Sequence, residues 1–209
     1  MTARISGRVF VDVGMSLDGL IAGPNGRPGN PLGDGGTRIH EWLFGLASFR
    51  EHLQMPGGET GPDDDIVRAV LARIGANVMG RRMFDEGEVG WPEKAPFHTP
   101  VFVLTHTPRD PWVRPGGTTF YFVTDGFDSA LEQARRAAGD KDVRISGGAA
   151  TIQQALRAGV VDELHVHIAP LLMGEGVRLF DGGRDLPALE IMTVRPSSQV
   201  THLSYRVLR

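Results

Sequence analysis

The sequence predicts an α/β fold: a central mixed, mostly parallel sheet with helices on both faces and antiparallel strands at the C-terminal end. Three observations predict it. Short apolar strand-like runs alternate with helical segments through the middle of the chain, the pattern of β–α–β units. The last two structured segments are both β-rich and adjacent, which suits an antiparallel pair. The composition, 41% hydrophobic and 22% charged over 209 residues, is that of a globular chain whose length suits one domain.

The elements follow in order. Residues 8–14 read as the first strand, because Val9, Val11 and Val13 alternate with Phe10, Asp12 and Gly14. Ser16-Leu17-Asp18-Gly19 is a turn, since Asp-Gly tolerates positive φ, and residues 20–22 are a short apolar piece. Glycine, proline and asparagine dominate 24–37 and predict a long loop. A helix is expected from about Thr37, with Ile39, Trp42, Leu43 and Leu46 at helical spacing, before a second breaker stretch over 55–62. Asp63, Asp64 and Asp65 then open a helix running to about Ile74, where acidic side chains favour the N-terminal end of the dipole. Strands are expected at 76–79, 100–104, 119–123, 143–145 and 163–168. Helices are expected from Gly80-Arg81-Arg82 and at 129–138 and 149–158. Segments 189–194 and 200–208 close the chain. The region 24–62 is an insertion of loop and helix within a single domain spanning 1–209.

Composition excludes several classes of function. With no cysteine there is no disulfide, thiol nucleophile, iron–sulfur cluster or zinc–thiolate site, and a Cys-bearing zinc deaminase is ruled out. Twenty-two basic against 25 acidic residues give a net charge of −3 and no general attraction to nucleic acid or anionic membrane. Arg4 and Arg8 come early, but Asp12 and Asp18 interrupt the apolar run that a secretory signal needs. No segment approaches the ~20 apolar residues of a membrane span. A cytoplasmic protein is expected, with a small molecule as its partner. His165 and His167 share one strand face, but no third ligand stands at metal spacing, and no metal is expected.

Three strand-to-helix junctions carry candidate chemistry. In the first, Ser146-Gly147-Gly148-Ala149-Ala150-Thr151 ends a strand and opens a helix. The glycines permit close backbone approach, and the helix N-terminus offers free N–H groups to a phosphate; the alternative is an ordinary tight turn. In the second, Gly80 is followed by Arg81 and Arg82, and guanidinium groups bind phosphate through paired charge-assisted hydrogen bonds; the alternative is a solvated pair. The third, Leu104-Thr105-His106-Thr107-Pro108-Arg109, gathers hydroxyl, imidazole and guanidinium groups suited to a ribose 2′-phosphate, or forms a polar loop. All three follow parallel-type strands, at whose carboxyl ends open α/β sheets bind ligands.

An ordered set of segments carries a resemblance over nearly the whole chain. It comprises Met15-Ser-Leu-Asp-Gly19 with Ile21-Ala-Gly23, Val78-Met-Gly-Arg81, Val103-Leu-Thr105, Ser146-Gly-Gly148, Val161-Asp-Glu-Leu164, Pro170-Leu-Leu-Met-Gly174 and Leu179-Phe180. With these the sequence resembles the dihydrofolate-reductase-like family, in the branch related to the reductase domain of riboflavin biosynthesis. The resemblance implies a dihydrofolate-reductase-like three-layer fold, NADPH as hydride donor and a homodimer. It implies that Gly80 and Arg81, with Arg82, meet the cofactor's phosphates. It places Thr105 and His106, with Leu104 and Arg109, at the adenosine 2′-phosphate. Gly147, Gly148, Ala149 and Ala150, flanked by Ser146 and Thr151, would cradle the pyrophosphate, and Val13, Ile21 and Ala22 would border the nicotinamide. Two positions depart from the family pattern. Met83 stands where dihydrofolate reductases have a phosphate-binding threonine. Ser146 stands where riboflavin reductases have a glutamate facing the substrate.

The activity so implied is an NADPH-dependent reduction of a small heterocyclic or carbonyl compound, of dihydrofolate, pterin or pyrimidine type. Such a reduction also needs a proton. Asp18, after the first strand, and Glu41, beside Trp42 on the inserted helix, are the candidate catalytic carboxylates. Asp12 is weighed third, as a strand residue on a partly exposed face. Trp42 is the candidate for stacking on the substrate, or core. Two alternatives stay open: a non-catalytic NADPH-binding module, and a flavin- or nucleotide-using enzyme on the same fold.

Overall fold

The computed structural model describes residues 7–180, 182 and 186–209, so Arg4 lies outside the described residues. Runs rich in β-branched and aromatic residues form the sheet, and the helices between them return the chain so that successive strands lie parallel. The strands are β1 (Val9–Ser16), β2 (Leu20–Ala22), β3 (Ile74–Gly80), β4 (Pro100–Leu104), β5 (Trp112–Val113), β6 (Thr119–Val123), β7 (Asp142–Gly147), β8 (Glu163–Ala169), β9 (Val177–Arg178), β10 (Leu189–Pro196) and β11 (Thr201–Val207). The helices are α1 (Glu41–Phe44), α2 (Ala47–His52), α3 (Pro62–Arg73), α4 (Arg81–Gly87), α5 (Phe127–Ala138) and α6 (Ala149–Arg157).

The main sheet runs β10-β11-β8-β1-β7-β3-β4-β6-β5. From β8 through β6 every pairing is parallel, while β11, β10 and β5 are antiparallel to their neighbours. β2 and β9 form a separate antiparallel pair. One core holds Val9, Val11, Val78, Ile145 and Leu164 of the sheet against Phe127, Leu131 and Ala134 of α5 and Ile152 and Leu156 of α6. A second gathers Phe84 of α4 with Met79, Val101, Val103 and Phe120. The Phe84 ring lies edge-on to Phe120 and Phe122, with centroids 5.2 and 5.0 Å away, near the optimum for aromatic pairs. A third joins Trp42, Leu46, Val67 and Val200, docking α1, α2 and α3 beside β11.

The predicted architecture is the observed one, and β4 and β6 have the expected ends. The single helix expected from Thr37 is not present. A 3-10 turn (Gly36–His40) leads into α1, Gly45 follows it, and Leu46 is extended (φ −74°, ψ 139°) before α2 begins. Ile74 does not end α3; its ψ of 123° makes it the first residue of β3. On the apolar stripe of α3, Val67 is buried, whereas Ile66, Val70 and Leu71 are half-buried and face a cavity.

Candidate active site

The carboxyl ends of β1, β3, β4 and β7 open on one cavity of about 1220 Å³. That exceeds the usual span of small-ligand pockets, roughly 300–1,000 Å³, and leaves room for a dinucleotide and a second compound. Its floor is the ends of the parallel strands. One side is built by the loops before α4, α5 and α6, the other by α1, α2 and α3.

The loop side carries nearly all the predicted cofactor residues. Val13, Ile21 and Ala22 line the cavity near its middle. Gly80, Arg81 and Arg82, then Leu104, Thr105 and His106, and then Ser146 to Thr151 line the rest of that side. Gly147 adopts φ +129°, a backbone conformation that favours glycine, and the Gly147–Gly148 peptide is cis. A Cβ on Gly148 would meet no atom within 4 Å, so this backbone borders open space. Gly148 gives α6 no side-chain cap, and the first N–H groups of that helix have no hydroxyl or carboxylate over them. The Arg81 guanidinium donates to Asp85 Oδ1 at 2.6 Å and Thr105 Oγ1 at 3.1 Å, which ties the β3 and β4 junctions together. Arg82 pairs with Glu86 at 3.1 Å and remains largely exposed. Met83 also lines the cavity and presents a thioether there, not a hydroxyl.

Several predicted residues sit elsewhere. Arg109 is not in the cavity wall: it donates to Glu88 at 2.9 Å and lies over the Phe84, Trp112 and Phe122 rings. Asp18 does not face the cleft. Its carboxylate accepts from Ser16 Oγ at 2.6 Å and from the backbone N–H groups of Met173 and Gly174, at 2.7 Å for Gly174. These hydrogen bonds, the Ser16 bond foremost, hold the Asp18 carboxyl down at about 2. Asp18 pins two loops together and cannot reach a ligand in the cavity. Glu41 is exposed at the start of α1 and is likewise absent from the wall. Neither predicted carboxylate is placed for chemistry in this cavity.

Asp12, weighed third, is placed there, and it is more buried than its strand position suggested. It stands at the inner end of the cavity with His40, Trp42, Arg144 and His167. His167 Nε2 lies 2.9 Å from Asp12 Oδ2, and Arg144 Nη2 lies 3.9 Å from Asp12 Oδ1. Burial pushes the Asp12 carboxyl up, but the charge and hydrogen bond of His167, helped by Arg144 and His165, hold it well below the usual carboxylate range. His40 reaches the site because Gly14 leaves room: a Cβ there would sit 2.7 Å from the imidazole Cε1. Burial, with the His167 and Arg144 charges adding and Asp12 opposing, pushes His40 down to about 4, so its ring is neutral at pH 7. Trp42 is buried, lines the cavity, and packs on the His167 and His202 rings at 5.3 and 5.2 Å. Its indole Nε1 and Arg144 Nε are buried donors without a protein acceptor. Among the described residues no cluster of three His, Asp or Glu side chains could hold a metal ion. His165 turns away to Glu163 and Ser204.

The sequence does not reveal that these residues meet in one cluster. Its members come from β1, β7, β8 and the 3-10 turn; Asp12 was weighed as a third carboxylate and Trp42 as a stacking residue, the His-x-His spacing in β8 pointed to His167, and His40 and Arg144 gave no signal. Nor did Thr124 and Gly126, which bring the N-terminus of α5 to the cavity rim.

Comparison with known proteins places the chain. The model of the RibD C-terminal domain family matches residues 8–203. The uncharacterized protein YyaP of Bacillus subtilis (strain 168) is 24% identical over 206 residues, which is 95% of this chain and 94% of YyaP. A candidate riboflavin biosynthesis protein from Shewanella sp. PV-4 superposes with a TM-score of 0.66 at 24% identity, covering 97% of this chain and 99% of that one. Dihydrofolate reductase from Enterococcus faecalis, solved with NADP(H) and RAB-propyl, superposes with a TM-score of 0.54 at 14% identity over 97% of each chain. With the sheet order, the cavity at the strand ends and a family match over most of its length, this chain belongs to the RibD C-terminal domain family and has the dihydrofolate-reductase-like fold.

Proposed function

We propose that the protein is an NADPH-dependent reductase of a small heterocyclic or carbonyl compound. The observation that carries this reading is the loop side of the cavity, where three parallel-strand junctions present backbone N–H groups, hydroxyls and guanidinium groups along one elongated wall. The residues fit the cofactor. Gly147 to Ala150 and the uncapped start of α6 suit a pyrophosphate. Arg81, Arg82, Thr105 and His106 suit phosphate oxygens, including a 2′-phosphate, and Val13, Ile21 and Ala22 offer an apolar edge to a nicotinamide ring. Arg109 takes no part. When bound, the cofactor supplies the hydride.

The opposite half is the substrate side. Leu43, Phe49, Val67, Val70 and Leu71 make an apolar wall there, and Trp42 closes its inner end. The 24–62 insertion and α3 supply this wall. It carries no lysine or arginine besides Arg144 at the floor, which favours an uncharged planar body over a phosphorylated one. The wall keeps water from the reacting atoms, and Arg144, His40, His167 and Asp12 meet the polar end of the compound. We further propose a homodimer formed through β10, whose residues are all exposed at the edge of the sheet.

A binding titration tests the reading. The protein should bind NADPH with a preference over NADH of about tenfold or more, the size of one charge-assisted hydrogen bond. Equal binding of the two, or binding of neither, would defeat it. A yellow protein retaining flavin would favour the flavin-using alternative.

A further inference from the structure

We infer that Asp12, His167, His202 and Asp63 form a hydrogen-bonded chain that stores one proton in the cavity wall and passes it to the substrate through Asp12. The inference rests on the reductase reading for its recipient, but the chain itself is defined by geometry. His167 Nε2 lies 2.9 Å from Asp12 Oδ2, His167 Nδ1 lies 2.7 Å from His202 Nδ1, and His202 Nε2 lies 3.0 Å from Asp63 Oδ1. The β8–β11 register sets His167 directly opposite His202 and so fixes the middle bond. Asp12 and Asp63 reach the pair from β1 and from the first turn of α3.

Proton counting gives the stored charge. Three hydrogen bonds need three protons. Two carboxylates contribute none, and two neutral imidazoles contribute one each. The four groups therefore hold one proton more than their neutral-imidazole state, shared between the two rings. The His167 and His202 rings are buried under Trp42, and burial, with His167 beside it, pushes His202 down. The charged or titratable neighbours facing the pair are Asp12 of β1, Asp63 of α3, Arg144 of β7 and His40 before α1, with His165 further along β8. Two carboxylates flank the imidazoles, and Arg144 offsets Asp12.

The chain has one end at the cavity and the other toward solvent. Asp12 and His167 line the cavity; Asp63 is partly exposed at the start of α3. When a hydride from a nicotinamide donor reaches a carbonyl or imine carbon, the π electron pair moves to the oxygen or nitrogen. That atom takes a proton from Asp12 as Asp12 takes the His167 Nε2 proton, and the His167–His202 bond shifts in the same sense. An O–H or N–H bond forms and the His167 Nε2–H bond is lost; because His202 Nε2 keeps the proton it donates to Asp63, the lost proton returns from water at Asp12 once the product has left the cavity. Asp12 is held ionised at rest and carries the proton only in transit. Asp12 would be the catalytic residue, and His167, His202 and Asp63 its positioning and supply residues.

The test is nuclear magnetic resonance of histidine-15N-labelled protein, with no substrate needed. Wild type should show three ring N–H protons across His167 and His202 at neutral pH, one of them in the Nδ1–Nδ1 bond. Asp12→Asn should lose one of the three, because the flanking anion is gone. His202→Phe should leave a single ring N–H on His167. Two N–H protons in wild type, or a count indifferent to Asp12→Asn, overturns the stored proton. Delivery is read by adding NADP+: with binding verified in the same sample, filling the cavity should slow solvent exchange of the shared proton several-fold. Unchanged exchange means the chain opens only at Asp63, and delivery is overturned. Three protons with no NADP+ binding overturns the reductase reading and the recipient, and leaves the store standing.

Discussion

Asp18 shows how one residue type can serve structure where chemistry was expected. Its carboxylate accepts N–H groups from Met173 and Gly174 and so joins the turn after β1 to the loop after β8. The group is depressed from 3.8 to about 2, so its contribution to stability is fully present above about pH 4 and is lost as pH falls through 2. Asp18→Asn should lower Tm at pH 7, and its difference from wild type should shrink between pH 4 and 2 in thermal melts. Arg81 and Arg109 make a second pair of predictions. Arg81→Ala should weaken NADPH binding about ten- to a hundredfold, as loss of a charge-assisted contact does. Arg109→Ala should leave the NADPH Kd within about twofold, because its guanidinium is spent on Glu88 and aromatic rings. The residues lining the loop side of the cavity were legible because each set is contiguous in sequence at a strand-to-helix junction or strand end. Asp12 was weighed as a third carboxylate, but its meeting with His40, Arg144 and His167 was not legible, since these come from four separate elements brought together only by the fold.

At the scale of elements, α1 to α3 make one wall of the cavity, which we propose faces the substrate, and Trp42 fastens them to β8 and β11. Its ring packs with Leu46, Val67 and Val200 and covers the two histidines. Trp42→Ala should cost about 3–5 kcal/mol in denaturant unfolding, as truncation of a buried tryptophan does. It should also disturb the substrate side more than NADPH affinity. The element pattern was legible where strands are apolar and bounded by proline, glycine or aspartate, as at β4 and β6. The inserted region was less so: apolar spacing at Ile39, Trp42, Leu43 and Leu46 suggested one helix, but Gly45 and the extended Leu46 divide it. The two-residue strands β5 and β9 carry no periodicity of their own and exist because β6 and β2 are there to pair with them.

At the scale of the whole molecule, the longer of the two open sheet edges is β10. β10 is exposed on every residue, with Ile191 65% and Val194 54% exposed, and it has no partner beyond β11 among the described residues. Light scattering should report a dimer, and Ile191→Asp with Val194→Asp should convert it to a monomer that still melts cooperatively. A monomeric wild type would contradict the homodimer. The parallel strands open the cavity between the loop wall and α1 to α3, and a crystal structure with NADP+ would show what it holds. Pyrophosphate oxygens should lie on the Gly147–Ala150 backbone, the 2′-phosphate near Arg81, Thr105 and His106, and the nicotinamide against Val13, Ile21 and Ala22. A dinucleotide bound away from these residues, or none at saturating concentration, would contradict the reductase reading.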